Sequence, residues 1–285
     1  MVSGVQMDIW DNEENVLGII NYPKSVGEWF ILSHQIKKIS RGCFVVNLGK
    51  IIGREPTKIE DIINVGAKDK CFAKTIGLMN DLLSYSLQLK QNIEKDVLIE
   101  YAFNIFRKAY EIHNIIGYLN KQKQIILSND VIIPNTISGM VVEVPSIPDL
   151  TGKVHSFSVN ARHILIETLN FIKYIYQIDN CKYSTLSDKL PTNSYLLQQI
   201  NPVLNEILFL WELRNVFEHP KENYYCKINN FSYKQGKINN PGWQYVNGSY
   251  FEEETDLIFR LNKFYDFLLG FIEDVFNTII LEIKL

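Results

Sequence analysis

Cysteine is scarce and scattered: Cys43, Cys71, Cys181 and Cys226 form no Cys-x-x-Cys pair. That spacing excludes a zinc ribbon, a dithiol redox motif and a dense disulfide framework, and the four are expected as reduced thiols in a cytoplasmic protein. Long apolar runs are missing too, since no stretch of about eighteen uninterrupted apolar residues occurs, and no membrane span is expected. The nearest approach, residues 264–281, is broken by Asp266, Glu273, Asp274 and Asn277. The first ten residues lack the basic-then-apolar plan of a signal peptide. Positive charge is not in excess: the net charge is -3 and the pI is near 6.0. A protein that coats nucleic acid non-specifically is usually basic, so any nucleic-acid contact is expected to be local and confined to a cleft. No Gly-x-Gly-x-x-Gly, phosphate-binding loop, Gly-x-Ser-x-Gly or His-Glu-x-x-His occurs. Their absence removes the common dinucleotide, hydrolase and metalloprotease readings. There is no internal repeat and no low-complexity segment.

What is present is an ordinary globular composition, with 46% apolar and 21% charged residues over 285 positions. That is enough for a sizeable core in one large domain or two smaller ones. The fold class expected is mainly α, a helical bundle with a short β-hairpin excursion. A short strand is expected at Val16–Asn21, a helix over 28–40 from Trp29, Leu32, Ile36 and Ile39, and no clear assignment over 43–66. Residues 68–122 carry helical periodicity in two segments, the second weakened at its end by Gly117. Residues 125–152, with Pro134, Pro145, Pro148 and β-branched runs, suggest a linker or strand excursion. The expected organisation is therefore an N-terminal helical region with irregular and strand segments, 1–150, which can contribute helices to the bundle, and a helical domain, 151–285.

The later half is better patterned. Ser158 or Asn160 is a candidate cap for a helix running to about Gln177. Asn201-Pro202 is a favourable pair for starting another. After Pro220, turns at 234–237, 240–242 and 247–248 suggest a hairpin. A final helix is expected from Phe251 to Ile283, opened by Glu252, Glu253, Glu254 and Asp256, whose charges suit a helix N-terminus.

The chemistry is concentrated in Arg214-Asn215-Val216-Phe217-Glu218-His219-Pro220. The preceding helix has an apolar stripe at Ile200, Val203, Leu204, Ile207 and Trp211. At about 100° per residue, Arg214 and Glu218 continue that stripe, while Asn215 and His219 lie roughly 60–100° to one side. A buried arginine needs a partner or a ligand. Glu218, four residues on, can be that partner, and a phosphate can be that ligand, because the guanidinium fork matches its oxygens. Pro220 should end the helix at His219, and a histidine at a helix C-terminus is favoured in its protonated form. Asn215, four residues before His219, can orient it or a ribose.

Arg, a polar residue, three further residues and His at the end of a helix resembles the signature of the HEPN superfamily (higher eukaryotes and prokaryotes nucleotide-binding domain). The resemblance covers about residues 155–285, with the helices of 68–122 as possible additions. It implies a bundle of four or five helices, often a homodimer whose two motifs face one cleft. Many members are metal-independent endoribonucleases, several of them toxins or anti-phage defence components; others are non-catalytic modules that bind RNA, a nucleotide or a protein. By that resemblance Arg214, Asn215 and His219 are the catalytic residues, with RNA as substrate, no cofactor and no metal. An antitoxin or regulatory protein is an implied partner. The toxin branch paired with a nucleotidyltransferase antitoxin tends to have a tyrosine two residues after the histidine. Here that position is Lys221, so modification by such an antitoxin is not expected.

Glu218, Lys221, Tyr224 and Tyr225 are the candidate substrate-binding residues. Tyr224, Tyr225, Phe231, Tyr233, Trp243 and Tyr245, interleaved with Lys221, Lys227, Lys234 and Lys237, have the composition of a hairpin that stacks unpaired bases. The plainer account is a hairpin packed on the bundle. His163 and Glu167 share a helix face but lack a third metal ligand. Glu111 and His113 point to different faces, and His34 and His155 read as structural histidines.

Overall fold

The strict 3-and-4 spacing of Leu98, Ala102, Ile105, Ala109, Ile112, Ile116 and Leu119 folds as one continuous helix with all seven side chains buried. This is the helical period expressed as a buried stripe. The computed structural model describes residues 5–10, 16–21, 43–47, 58–63, 69–78, 82, 93–128, 144–234, 237–248 and 250–284. In these residues the protein is mainly α, with small antiparallel sheets. The elements are β1 (Val5–Trp10), β2 (Val16–Asn21), β3 (Cys43–Asn47), β4 (Lys58–Ile63), a turn of helix α1 (Lys70–Phe72) running into a π turn (Ala73–Gly77), α2 (Lys95–Ser128), α3 (Leu150–Tyr176), a 3₁₀ turn (Tyr183–Asp188), α4 (Tyr195–Ile200), a second 3₁₀ turn (Asn201–Val203), α5 (Leu204–Glu218), β5 (Tyr224–Asn229), β6 (Ser232–Lys234), β7 (Lys237–Asn239), β8 (Gly242–Asn247), β9 (Tyr250–Asp256) and α6 (Leu257–Lys284). Among the described residues no helix is long and apolar enough to cross a membrane.

The chain divides into two compact units. The first comprises residues 1–107, 166–202 and 269–285. It contains an antiparallel sheet in the order β2-β1-β3-β4. The strand expected at Val16–Asn21 is present as β2, and the unassigned 43–66 segment contributes β3 and β4. The helix expected over 28–40 and most of residues 79–92 lie outside the described residues. Phe171 stacks on Phe276 at 4.7 Å between ring centroids, and Tyr183 meets Phe271 edge-on. Lys74 pairs with Glu273 at 2.6 Å.

The second unit comprises residues 108–165 and 203–268. Ile112, Ile116, Val154, Phe157, Ile164, Ile207, Leu210, Leu213, Leu261 and Phe264 are buried in it. Its three-stranded sheet has the order β5-β8-β9, and β6 pairs with β7. Phe209, Trp243, Tyr245 and Phe264 form one aromatic cluster, the closest rings being Phe209 and Tyr245 at 4.7 Å. Lys123 pairs with Asp256 at 2.6 Å, and Asn120 and Asn262 exchange amide hydrogen bonds.

Three expectations about elements are corrected. Helix α2 passes through Gly117 and continues to Ser128. One glycine weakens a helix by only about 1 kcal/mol relative to alanine, and the buried positions Ile116, Leu119 and Ile126 on either side outweigh it. Helix α3 starts at Leu150, not at Ser158 or Asn160. Asp149 precedes it with φ 51°, and its carboxylate fills the space beside Gly152, where a Cβ would meet it at 2.3 Å and displace it. Ser158 instead donates to the carbonyl of His155 within the helix, and Asn160 is buried. Finally, residues 250–256 are strand β9, not the start of the last helix. Asn247 and Gly248, the latter at φ 62°, turn the chain back so that Phe251 pairs with Val246 and Glu252 with Tyr245. Sheet pairing overrides the acidic helix-start signal, and Asp256 alone acts as the cap, accepting the Phe259 N–H at 3.1 Å.

Candidate functional site

Helix α5 carries the motif, and all the side chains described here belong to the second unit. Its buried face is Ile207, Leu210, Leu213 and Val216. Steps of three residues cover about 300°, so this stripe walks backward around the helix by about 60° per step. Arg214 and Glu218 consequently end beside the stripe and not on its continuation: their side chains are 35% and 24% exposed. The helix stops at His219, whose φ of -132° and ψ of 54° leave the helical region before Pro220. The His219 N–H donates to the Asn215 carbonyl at 2.9 Å, closing the last turn.

Two short networks flank this helix end. In the first, Arg214 donates to and pairs with Glu218. On the other side of that carboxylate, His155 Nε2 of α3 lies 3.6 Å from Glu218 Oε1, and the His155 ring lies against Phe217 at 5.9 Å. At 3.6 Å the His155 contact is electrostatic and not a hydrogen bond. Burial works to raise the Glu218 pKa, but Arg214 and then His155 outweigh it and hold the carboxyl below its usual value.

In the second network, Arg162 of α3 donates to Asn215 Oδ1 while its guanidinium lies over the Trp211 ring at 5.3 Å. Asn215 Nδ2 donates to Glu212 Oε2 at 3.1 Å, and the Tyr224 hydroxyl donates to the same oxygen at 2.8 Å. Burial, and then the Glu212 hydrogen bond and charge, push the Tyr224 pKa up, so this phenol stays protonated and serves as a donor. Asn215 therefore does not orient the His219 ring through its side chain; the amide is committed to Arg162 and Glu212.

Arg214, Asn215, Glu218 and Tyr224 are thus drawn into these networks. His219 and Lys221 are exposed at the helix end, and among the described residues nothing hydrogen-bonds or ion-pairs with the His219 ring. Lys221 and Tyr224 close a tight turn through backbone hydrogen bonds of 2.7 and 3.0 Å, and Tyr225 is half-buried on β5. Of the six hairpin aromatics, Phe231, Trp243 and Tyr245 are core residues. Their faces are taken by protein packing, which leaves Tyr224, Tyr225 and Tyr233 half-buried. Glu212 also lines a cavity of about 480 Å³ shared with Phe209, Tyr245, Arg260 and Phe264.

Sequence reasoning did not single out Arg162 and took His155 as a structural histidine; the structure places Arg162 beside Asn215 and His155 beside Glu218. Both sit on α3, seven residues apart, and two helical turns place them on one face. That spacing was the available signal; what they face depends on tertiary packing. Among the described residues no group of three metal-ligating side chains comes together. His163 is exposed on α3.

Compared with family models, with curated proteins and with solved structures, the chain matches none.

Proposed function

We propose that the protein is a metal-independent endoribonuclease of HEPN type. The observation that carries this reading is the end of α5: Arg214 and an exposed His219, which has no side-chain partner among the described residues, lie five residues apart at the last turn of one helix. In the proposed reaction the ribose 2′-oxygen attacks the adjacent phosphorus and the bond from phosphorus to the 5′-oxygen breaks. The 2′-OH proton leaves to a base, and the departing 5′-oxygen takes up a proton. The products are a 2′,3′-cyclic phosphate and a 5′-hydroxyl end. Arg214 stabilises the charge that builds on the phosphate oxygens, and His219 carries one of the two proton transfers. A second copy of the chain would bring a second motif to the same cleft, and in this reading the functional form is a homodimer with toxin-like or defensive biology.

Glu218 holds Arg214 in place until a phosphate competes for the guanidinium. Lys221 and Tyr225, at the start of the hairpin, extend the surface available to RNA. The Arg214–Glu218 pair also favours a second reading, a non-catalytic module that binds RNA, a nucleotide or a protein, since a guanidinium already neutralised has less to offer a transition state.

Incubation of RNA with purified protein in EDTA tests the proposal. Wild type should cut, and His219→Ala should not. Equal cleavage by both proteins would exclude His219 as the proton carrier and remove the basis of the assignment.

A further inference from the structure

The second unit contains three arginines, and two of them have a carboxylate. Arg214 pairs with Glu218, and Arg260 pairs with Glu252 at 3.1 Å. Arg162 is half-buried, yet among the described residues it has no carboxylate partner. Among the described residues it donates to the neutral amide oxygen of Asn215. The acid nearest along that network, Glu212, lies beyond the Asn215 amide and accepts from Asn215 and Tyr224 through one oxygen, Oε2. A partly exposed guanidinium with no carboxylate beside it keeps donors that water or an anionic ligand can take. The Arg162 guanidinium lies over the Trp211 ring, 5.3 Å from its centroid, and a guanidinium carries its N–H donors along its planar edge. That edge is the part that grips a phosphate. The arginine is tied through one hydrogen bond to Asn215, the residue next to Arg214.

We infer that Arg162 is a second phosphate ligand of the site, holding a phosphodiester of single-stranded RNA next to the one at Arg214. The inference rests on the RNA reading above and deepens it. The site grips two successive phosphates with two arginines from two helices, and the Arg162–Asn215 hydrogen bond keeps the second grip in register with the first. A substrate then needs a chain of at least two phosphodiesters, which a mononucleotide cannot offer.

Counting phosphate contacts by salt dependence tests this. Full-length protein carrying His219→Ala, so that substrate survives, is titrated into a fluorescein-labelled single-stranded oligoribonucleotide at several salt concentrations. Each phosphate neutralised on a single strand contributes about -0.7 to the slope of log K against log salt. Adding Arg162→Gln, which keeps an amide donor for Asn215 and removes the charge, should make the slope shallower by about 0.7; Arg162→Lys should preserve it. An affinity loss with an unchanged slope would make Arg162 structural and overturn the inference. Should Arg162→Gln fail to fold, phenylglyoxal labelling of the wild-type chain answers the same question. RNA should protect Arg162, and equal labelling with and without RNA contradicts the inference. If the protein shows no salt-dependent RNA binding at all, the RNA reading falls and takes the inference with it. RNA binding that persists with an unchanged slope in Arg162→Gln overturns the inference alone, whereas absence of binding by wild type overturns the RNA reading, so the two failures are distinguishable.

Discussion

Glu282 in the first unit and Glu218 in the second are both carboxylates gathering several donors, and their surroundings differ in kind. Glu282 accepts the Tyr176 hydroxyl, the Ser194 hydroxyl at 3.1 Å and the Leu196 N–H at 3.3 Å. It thereby caps the short helix α4, whose own cap residue Ser194 makes no side-chain capping bond. An anion at that place meets both the orphan N–H groups and the helix dipole. Burial, and then Glu282 itself, push the Tyr176 pKa well up, so the phenol remains a donor. Three donors converge on the one carboxylate in part-buried hydrogen bonds. Glu218, by contrast, sits among groups with capacity left over. Arg214 is a third exposed, His155 approaches without a hydrogen bond, and among the described residues Arg162 has no carboxylate partner and His219, next in sequence, has no side-chain partner. A closed polar network builds structure; in the proposed reading, the donors left at the Glu218 network and the exposed His219 imidazole at its edge are what meet the RNA.

Substitutions can break or sharpen this contrast. The largest effect is expected at His219: replacing it by Ala should slow RNA cleavage by about 10²–10⁴-fold, the usual range for a lost proton carrier. Its melting temperature should hardly move, because the side chain is exposed. Next comes Glu282→Ala, which strands the Tyr176 and Ser194 hydroxyls and a helix N–H. It should reduce stability by about 1–3 kcal/mol, read as a lower urea midpoint, while the cleavage rate per folded molecule stays at the wild-type value. A cleavage defect in Glu282→Ala with normal stability would collapse the distinction between the two clusters. Arg214→Ala should cost less than about 1 kcal/mol of stability, since its ion pair is part-exposed, and should still impair cleavage.

The smallest effect concerns Asp256. Burial works to raise its pKa, but Lys123, the Phe259 N–H and Asn240 outweigh it, so the folded pKa lies below the ordinary 3.8. A depressed carboxylate stabilises the fold above its unfolded pKa, and that contribution is lost as pH falls through the folded value. Stability should therefore decline on acidification below about pH 4, and Asp256→Asn should flatten that part of a urea-midpoint series; an unchanged acid limb would show that the Lys123 pair contributes nothing.

How legible this was in the sequence varies with the range of the interaction responsible. Helix α2 and the end of α3 follow from apolar spacing, a local property, and so does the stop at His219 ahead of Pro220. The turn at Asn247 and Gly248 was legible for the same reason. Strand β9 was not, because Glu252, Glu253 and Glu254 favour a helix start locally and only pairing with β8 makes them a strand. The true beginning of α3 lay hidden in a segment rich in proline. At the site, the Arg214–Glu218 pair is written in the four-residue spacing. The roles of Arg162 and His155 are not, since a lone arginine or histidine becomes informative only when packing brings it beside Asn215 or Glu218. The buried stripe of α5 was misjudged because Leu210, Leu213 and Val216 recur every three residues and rotate away from Arg214.

The most direct test of the central claim is the chemistry of the RNA ends left by the wild-type protein in EDTA, with His219→Ala alongside. The account predicts 2′,3′-cyclic phosphate and 5′-hydroxyl termini from wild type and intact RNA from the variant. Termini bearing a 3′-hydroxyl and a 5′-phosphate, or no cleavage by folded wild type across varied RNAs, would contradict it.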